Sequence, residues 1–430
     1  MIDRQFLFDS YPLSKKRRKR RFFRLRYLVL LILIMVPFFF FHEHRAGTKI
    51  VKAPVIAQKV VPAKVALSKA VPVNENARAL TKQDLVHIDQ NTIKAHNLTI
   101  DWDIQQFIAE TAAKYKLYYG SIVIIDSHTG NVLALYGQNT SGEDCSIGLD
   151  AEPAASIFKL VTATAAMDQK RFSPESKFSY TGNAHTLYKR QLTNKRNKWC
   201  MDISLADAFA RSNNIVFAKL GTIYLGEAPI ELTAKRMGFW KSPVKELEST
   251  PSTMLMPKDD YNLAELACGY NKETRMSPLH AAQIVTVVMN NGCMVTARLV
   301  RTQNGNVIKI PVMKKETAQN LSTMMERTVK SGTVAKSFRR ISSDRVLKYL
   351  AIGAKSGSIN GDQPKGKRNW FVGFAQNKDT GEGITIGCLL VLKDHFHIEA
   401  DMLSRLVIRR YFSKDMNLAQ VIHKHKRRTT

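Results

Sequence analysis

Hydrophobic and polar positions divide the 430-residue chain into stretches of different period. "YLVLLILIMVPFFFF", residues 27–41, is apolar throughout. With Phe22, Phe23 and Leu25 it reaches the roughly 20 residues a membrane-spanning helix needs, and Arg24 and Arg26 snorkel at its edge. Residues 42–97 show neither helical nor alternating period. Their "VKAPVIAQKVVPAKVALSKAVPV", rich in Val, Ala, Lys and Pro, reads as an extended linker. Periodicity starts near Leu98: in "DIQQFIAETAAKYKLYY" the residues Ile104, Phe107, Ile108, Ala112 and Tyr115 recur at helical spacing, with Asp101 or Asp103 as N-cap. "SIVIID" and "NVLALYG" are apolar strands joined by a turn at Thr129-Gly130. Helical patterns dominate from Ala154 to Val329. Strand patterns return in "VLKYLAIGAKSG", "NWFVGFAQ" and "GITIGCLLVL", and the amphipathic "HIEADMLSRLVIRRYF" closes the pattern. Strands on both sides of a helical insertion predict an α+β fold, a mostly antiparallel sheet with terminal helices on one face and a helical block on the other. The expected divisions are a basic segment over 1–26, an apolar anchor over 27–41, the linker over 42–97, a folded domain over 98–415 and a basic tail over 416–430.

A hydrophobic content of 44% suffices for a sizeable core and excludes a disordered chain. The formal net charge of +29 points to an anionic partner, whether nucleic acid, membrane surface or an acidic polymer such as cell wall. Position chooses among these. "KKRRKRR" lies directly against the apolar run, so it reads as the cytoplasmic flank of a signal anchor, with everything after Phe41 exported, and not as a nucleic-acid patch. A cleaved signal peptide is the competing reading. The following "HEHRAGT" has no small-x-small cleavage site, which favours an uncleaved anchor. The five cysteines, Cys145, Cys200, Cys268, Cys293 and Cys388, include no C-x-x-C and no histidine at ligand spacing, so no metal site is implied; disulfides and buried thiols both stay open.

Three short motifs carry candidate chemistry. Ser156 and Lys159 are three apart at a helix start, where a hydroxyl and an amine share a face; among Ile157, Phe158 and Leu160, with a second lysine nearby, Lys159 has the surroundings that lower an amine pKa enough for a general base. Alone, the pair fits a helix-start serine and a snorkelling lysine equally well, and Ser242–Lys245 matches the same pattern in a polar stretch with Pro243. Ser212-Asn213-Asn214 breaks two helical segments and projects a Ser and an Asn together, or caps a helix; Ser358-Ile359-Asn360 matches it too. Lys-Ser-Gly occurs twice. Lys330-Ser331-Gly332 follows a helical pattern and reads as a helix stop, whereas Lys355-Ser356-Gly357 follows an apolar strand and suits an edge strand lining a cleft.

The order S-x-x-K, S-x-N, K-[ST]-G resembles the serine penicillin-recognising enzymes, and flanks such as "IVIIDSHTGNVLAL", "ADAFARSNNIVFAKLG", "RMSPLHAAQIVTVVMNNG" and "NWFVGFA" resemble the transpeptidase domain of penicillin-binding proteins. The resemblance covers residues 98–392. It implies a five-stranded sheet in the α+β arrangement above and a D,D-transpeptidase acting on peptidoglycan stem peptides, with no cofactor. It assigns Ser156 as nucleophile, Lys159 as general base, Ser212 as proton relay, Asn214 as a holder of substrate and of Lys159, and Lys355 as electrostatic support. Ser356, Gly357 and Ser358 then bind substrate, Ser156 and Ser358 supply oxyanion-hole amides, and Gly332-Thr333-Val334 is a structural landmark. The implied partners are stem peptides, β-lactams as covalent inhibitors, the membrane through one helix and a separate glycosyltransferase, with no nucleic acid; the implied location is the outer side of the cytoplasmic membrane. Ser356 replaces the commoner Thr, and the short linker has no room for a pedestal or glycosyltransferase. A D,D-carboxypeptidase, a class D-like β-lactamase or sensor, and an inactive peptidoglycan-binding scaffold are the alternatives. The usual class D second motif, S-x-V, is replaced here by Ser212-Asn213-Asn214.

Overall fold

The computed structural model describes residues 79–426 except 171, 303–305 and 394–397, so the expected basic segment, anchor and most of the linker lie outside the described residues. In chain order the helices that frame the site or the sheet include α1 (Trp102–Lys114), α2 (Lys159–Lys170), α3 (Leu205–Ala210) and α4 (Asn214–Lys219). These are followed by α5 (Asp260–Cys268), α6 (Pro278–Met289), α7 (Lys315–Ser331) and α8 (Ala400–Lys426). The main strands are β1 (Gly120–Asp126), β2 (Val132–Asn139), β3 (Gly142–Glu143), β4 (Leu350–Asp362), β5 (Lys365–Asn377) and β6 (Gly383–Leu392). They form one antiparallel sheet in the order β4-β5-β6-β1-β2-β3. It has six strands where five were expected; the extra one, β3, is two residues long and only prolongs the β2 edge.

The sheet separates two cores, and alternation along its strands explains how. On β5 and β6, Trp370, Val372, Phe374 and Leu389 join the core of the helical block. Phe371, Ala375, Ile386, Cys388 and Leu390 join the opposite core, with Ile104 and Ile108 of α1 and Leu403, Val407 and Phe412 of α8. Every residue of β6 is buried, which is why "GITIGCLLVL" reads as a continuous apolar run and not an alternating one. α6 presses its N-terminus onto this strand: a Cβ at Gly387 would lie 2.0 Å from the Pro278 carbonyl oxygen. Ser277 caps α6 by accepting from the His280 amide, and Pro278 occupies its first turn.

Two boundaries differ from expectation. The linker does not extend to residue 97. Short helices at Gln83–Leu85 and Gln90–Ala95 precede α1, and Leu80, Leu85 and Ile88 are buried in the core that contains Ile104. These apolar residues are too few and too irregularly spaced to show a period, so their burial is visible only in the tertiary structure. At the other end α8 runs through residues 416–426, where a tail was expected. The helical block also carries three short antiparallel ladders, among them Lys177–Tyr180 with Met201–Ser204. Asp101, not Asp103, caps α1, its carboxylate accepting from the Asp103 and Ile104 amides.

Candidate active site

Ser156 lies in a single 3₁₀ turn, Ala155–Phe158, that runs directly into α2. In such a turn positions i and i+3 eclipse, so Lys159 falls under Ser156. The Lys159 ammonium nitrogen is 2.7 Å from Ser156 Oγ, 2.8 Å from Asn214 Oδ1 and 2.6 Å from the Cys268 carbonyl oxygen. The side chain is fully buried, and burial pushes its pKa down from the usual lysine range to about 8. Its ring neighbour Phe217 is 5.6 Å away.

The S-x-N motif divides its roles by position. Asn213, the middle residue, is the helix cap, its Oδ1 accepting from the Val216 amide at the start of α4. That leaves Ser212 and Asn214 free to face the cleft. Ser212 holds a left-handed backbone with φ 55°, and Asn214 Nδ2 donates to the His185 carbonyl at 2.9 Å, which fixes its Oδ1 toward Lys159. On the edge strand β4, Lys355 is fully buried and donates to Ser212 Oγ at 3.0 Å and to the Ser356 carbonyl at 2.6 Å. Burial first, and the nearby Lys159 charge second, hold the Lys355 pKa well below the ordinary lysine value. Burial is the leading cause for both lysines, and repulsion between the two disfavours charging both at once.

Gly357 makes the approach of β4 to the Ser156 turn possible: a Cβ there would sit 3.3 Å from the amide nitrogens of both Ser156 and Ile157. Ser156, Ser212, Asn214, Ser356, Gly357 and Ser358 line one cleft of about 650 Å³, with Lys159 and Lys355 beneath them. All eight residues singled out from sequence thus come together. Of the chance matches, Ser358-Ile359-Asn360 lies on β4 and lines the cleft, and the other two separate from it. Ser242 and Lys245 are exposed in a loop where Ser242 bonds the Val244 carbonyl, and Lys330 and Ser331 are exposed at the end of α7. Gly332 ends that helix with extended backbone, and a Cβ there would lie 2.3 Å from the Ala210 carbonyl oxygen, so close packing and not a left-handed turn requires glycine. Sequence reasoning missed Thr333, treated as purely structural: its hydroxyl is 2.5 Å from Ser356 Oγ in the cleft. It also missed His185 and Lys272, which stand in polar stretches with no local signal and reach the cleft only through folding. All five cysteines are free; Cys268 serves the site through its carbonyl, while burial pushes its thiol up to about 11.

Residues 120–390 match the penicillin binding protein transpeptidase domain. The chain belongs to that family. Penicillin-binding protein PbpB of Mycolicibacterium smegmatis is 25% identical over 274 residues, and penicillin-binding protein 3 of Bacillus subtilis is 27% identical over 186. The matches take in 56% and 41% of this chain and only 41% and 27% of those relatives' lengths. The D,D-transpeptidase domain of a peptidoglycan glycosyltransferase from Eggerthella lenta has the same fold, with a TM-score of 0.58 at 20% identity over 74% of this chain and 82% of that one. PBPA from Mycobacterium tuberculosis is similar at TM-score 0.56 and 20% identity, covering 72% and 80%.

Proposed function

We propose that this penicillin-binding transpeptidase-family protein is a D,D-transpeptidase that cross-links peptidoglycan stem peptides through an acyl-enzyme on Ser156. The observation that carries the reading is the environment of Lys159: two carbonyl oxygens, of Asn214 and Cys268, hold two N–H groups and leave the third direction to Ser156 Oγ. A neutral amine in that position donates twice and offers its lone pair to the hydroxyl. Lys159 takes the proton as Ser156 Oγ bonds to the carbonyl carbon of the penultimate D-Ala. The tetrahedral oxyanion is met by the Ser156 and Ser358 amides. Its collapse breaks the peptide bond, and the departing D-Ala amine receives a proton through Ser212, which Lys355 holds. An amine from a second stem peptide then attacks the ester, loses its proton to the same relay and regenerates the serine. Ser356, with Thr333 beside it, and Ser358 bind the terminal carboxylate, assisted by the positive potential of Lys355.

Support from relatives is of the same kind, since penicillin-binding protein A from M. tuberculosis forms an imipenem acyl-enzyme complex and penicillin-binding protein 3 from that organism was crystallised with ampicillin. Residues 27–41 serve in this reading as the anchor, holding the domain outside the cytoplasmic membrane beside a separate glycosyltransferase. A fluorescent penicillin should label the wild-type chain covalently and leave Ser156→Ala unlabelled. An unlabelled wild type sinks the reading, and rapid turnover of a chromogenic cephalosporin replaces it with a β-lactamase.

A further inference from the structure

Four consecutive residues lead into the turn that carries Ser156, and each is gripped, two by the segment Thr274–Arg275 and two by side chains of β5. The Ala151 carbonyl accepts from Arg275 Nε at 3.1 Å and Nη2 at 2.7 Å. The Glu152 carboxylate accepts from the Tyr119 hydroxyl at 3.1 Å and from Arg368 Nε at 3.3 Å. The Pro153 carbonyl accepts from the Trp370 indole at 2.9 Å, and the Ala154 amide donates to the Thr274 carbonyl at 2.9 Å. Next comes Ala155, whose φ of 48° is a left-handed backbone that costs a non-glycine residue roughly 1 kcal/mol and persists where surroundings over-determine it.

Of these grips, the one at Glu152 also reaches the tip of the β4–β5 hairpin. Arg368 lies on β5, 2% exposed, and Glu152 is 7% exposed. While its Nε meets Glu152, its Nη1 and Nη2 donate to the Pro364 and Gln363 carbonyls, both at 2.6 Å, at the turn of the hairpin. The guanidinium lies against Gly361 so closely that a Cβ there would be 2.2 Å from Nη1. That hairpin carries Gly357, Ser358 and Asn360 on one strand and Asn369 on the other, all lining the cleft. A single buried side chain therefore joins the segment that aims Ser156 to the strands that face it. Buried ion pairs add little net stability over apolar packing, but an arginine fork fixes geometry in a plane.

We propose that Arg368 and Glu152 are a positioning pair that sets the gap between the nucleophile turn and the substrate-binding hairpin. Neither residue touches substrate. The proposal rests on the acyl-enzyme reading above, because it assigns the pair to the rate of Ser156 acylation; displacement of about 1 Å at such a site costs on the order of 100-fold.

The test measures acylation of the full chain by fluorescent penicillin as a function of probe concentration, with thermal melting alongside. Arg368→Lys and Glu152→Gln are each expected to lower the maximal acylation rate about 10- to 100-fold, with half-saturation moving less than about 3-fold. The apolar double variant Arg368→Met/Glu152→Met is expected to melt close to wild type and still to acylate about 10- to 100-fold more slowly than wild type. Folded variants that acylate at the wild-type rate overturn the proposal, as does an apolar double variant that restores the rate, because the pair would then only fill space. Loss of the melting transition in every variant marks a stability element and overturns it too. An unlabelled wild type removes the acyl-enzyme reading itself, which distinguishes the two failures.

Discussion

Lys159 has three hydrogen-bond acceptors within reach and, when neutral, only two N–H groups, so the contact with Ser156 reverses direction as the lysine loses its proton. With a pKa of about 8, it is mostly ammonium below that pH and mostly free base above it. The acylation rate is therefore expected to climb between about pH 6 and about pH 9 along a limb centred near 8, and Lys159→Ala to abolish labelling. A limb centred near the usual lysine value would show that burial does not tune this group. The two Lys-Ser-Gly copies give a sharper contrast. Lys355→Ala removes the donor that holds Ser212 and should slow acylation at least about 100-fold, while exposed Lys330→Ala should leave the rate within about twofold. Labelling time courses of the two variants, run side by side, decide this.

At the level of elements, Ser156–Lys159 and Lys355–Gly357 were legible because their spacing maps onto a 3₁₀ turn and an edge strand, whose geometry follows from local chain order. The N-terminal elements were not legible. Leu80, Leu85 and Ile88 have no period of their own, and they are buried in the core shared with α1, while the Val86 carbonyl accepts from the Cys145 amide after β3. A chain starting at residue 98 should be less stable than one starting at residue 79 by about 5 kcal/mol, from three buried apolar side chains at ~1.5–3 kcal/mol each. Denaturant melts of the two chains measure the difference, and equal midpoints would return residues 79–97 to the linker. The same limit explains Thr333: its neighbours in sequence are a helix end and a loop, and only the packing of Gly332 against Ala210 brings its hydroxyl to Ser356.

For the molecule as a whole, one buried titratable group away from the cleft bears on acid stability. His280 on α6 is 1% exposed, its ring nitrogens 2.6 Å from Ser252 Oγ and 2.7 Å from the Met237 carbonyl oxygen, and burial lowers its pKa from 6.5 to about 4. Between those values the unfolded chain binds a proton that the folded chain refuses, so stability falls as pH drops through 6.5 and stops falling near 4. By about pH 5 the loss is about 2 kcal/mol, and His280→Gln should flatten that part of the melting-temperature profile relative to wild type. Unchanged slopes would place the acid sensitivity elsewhere. The sequence by itself determined the α+β layering, the order of the motifs and the residue types of the site, since hydrophobic period and i, i+3 spacing are properties of neighbours along a chain. Tertiary structure alone decided where the folded domain starts, how deeply the two lysines are buried, and which arginine ties the hairpin to the turn that carries Ser156. Those depend on segments far apart in the chain meeting, as Lys159 meets Asn214 and Arg368 meets Glu152, with sequence separations of 55 and 216. Apolar neighbours hint at burial, but its depth and the long-range partners are set only when distant segments pack together.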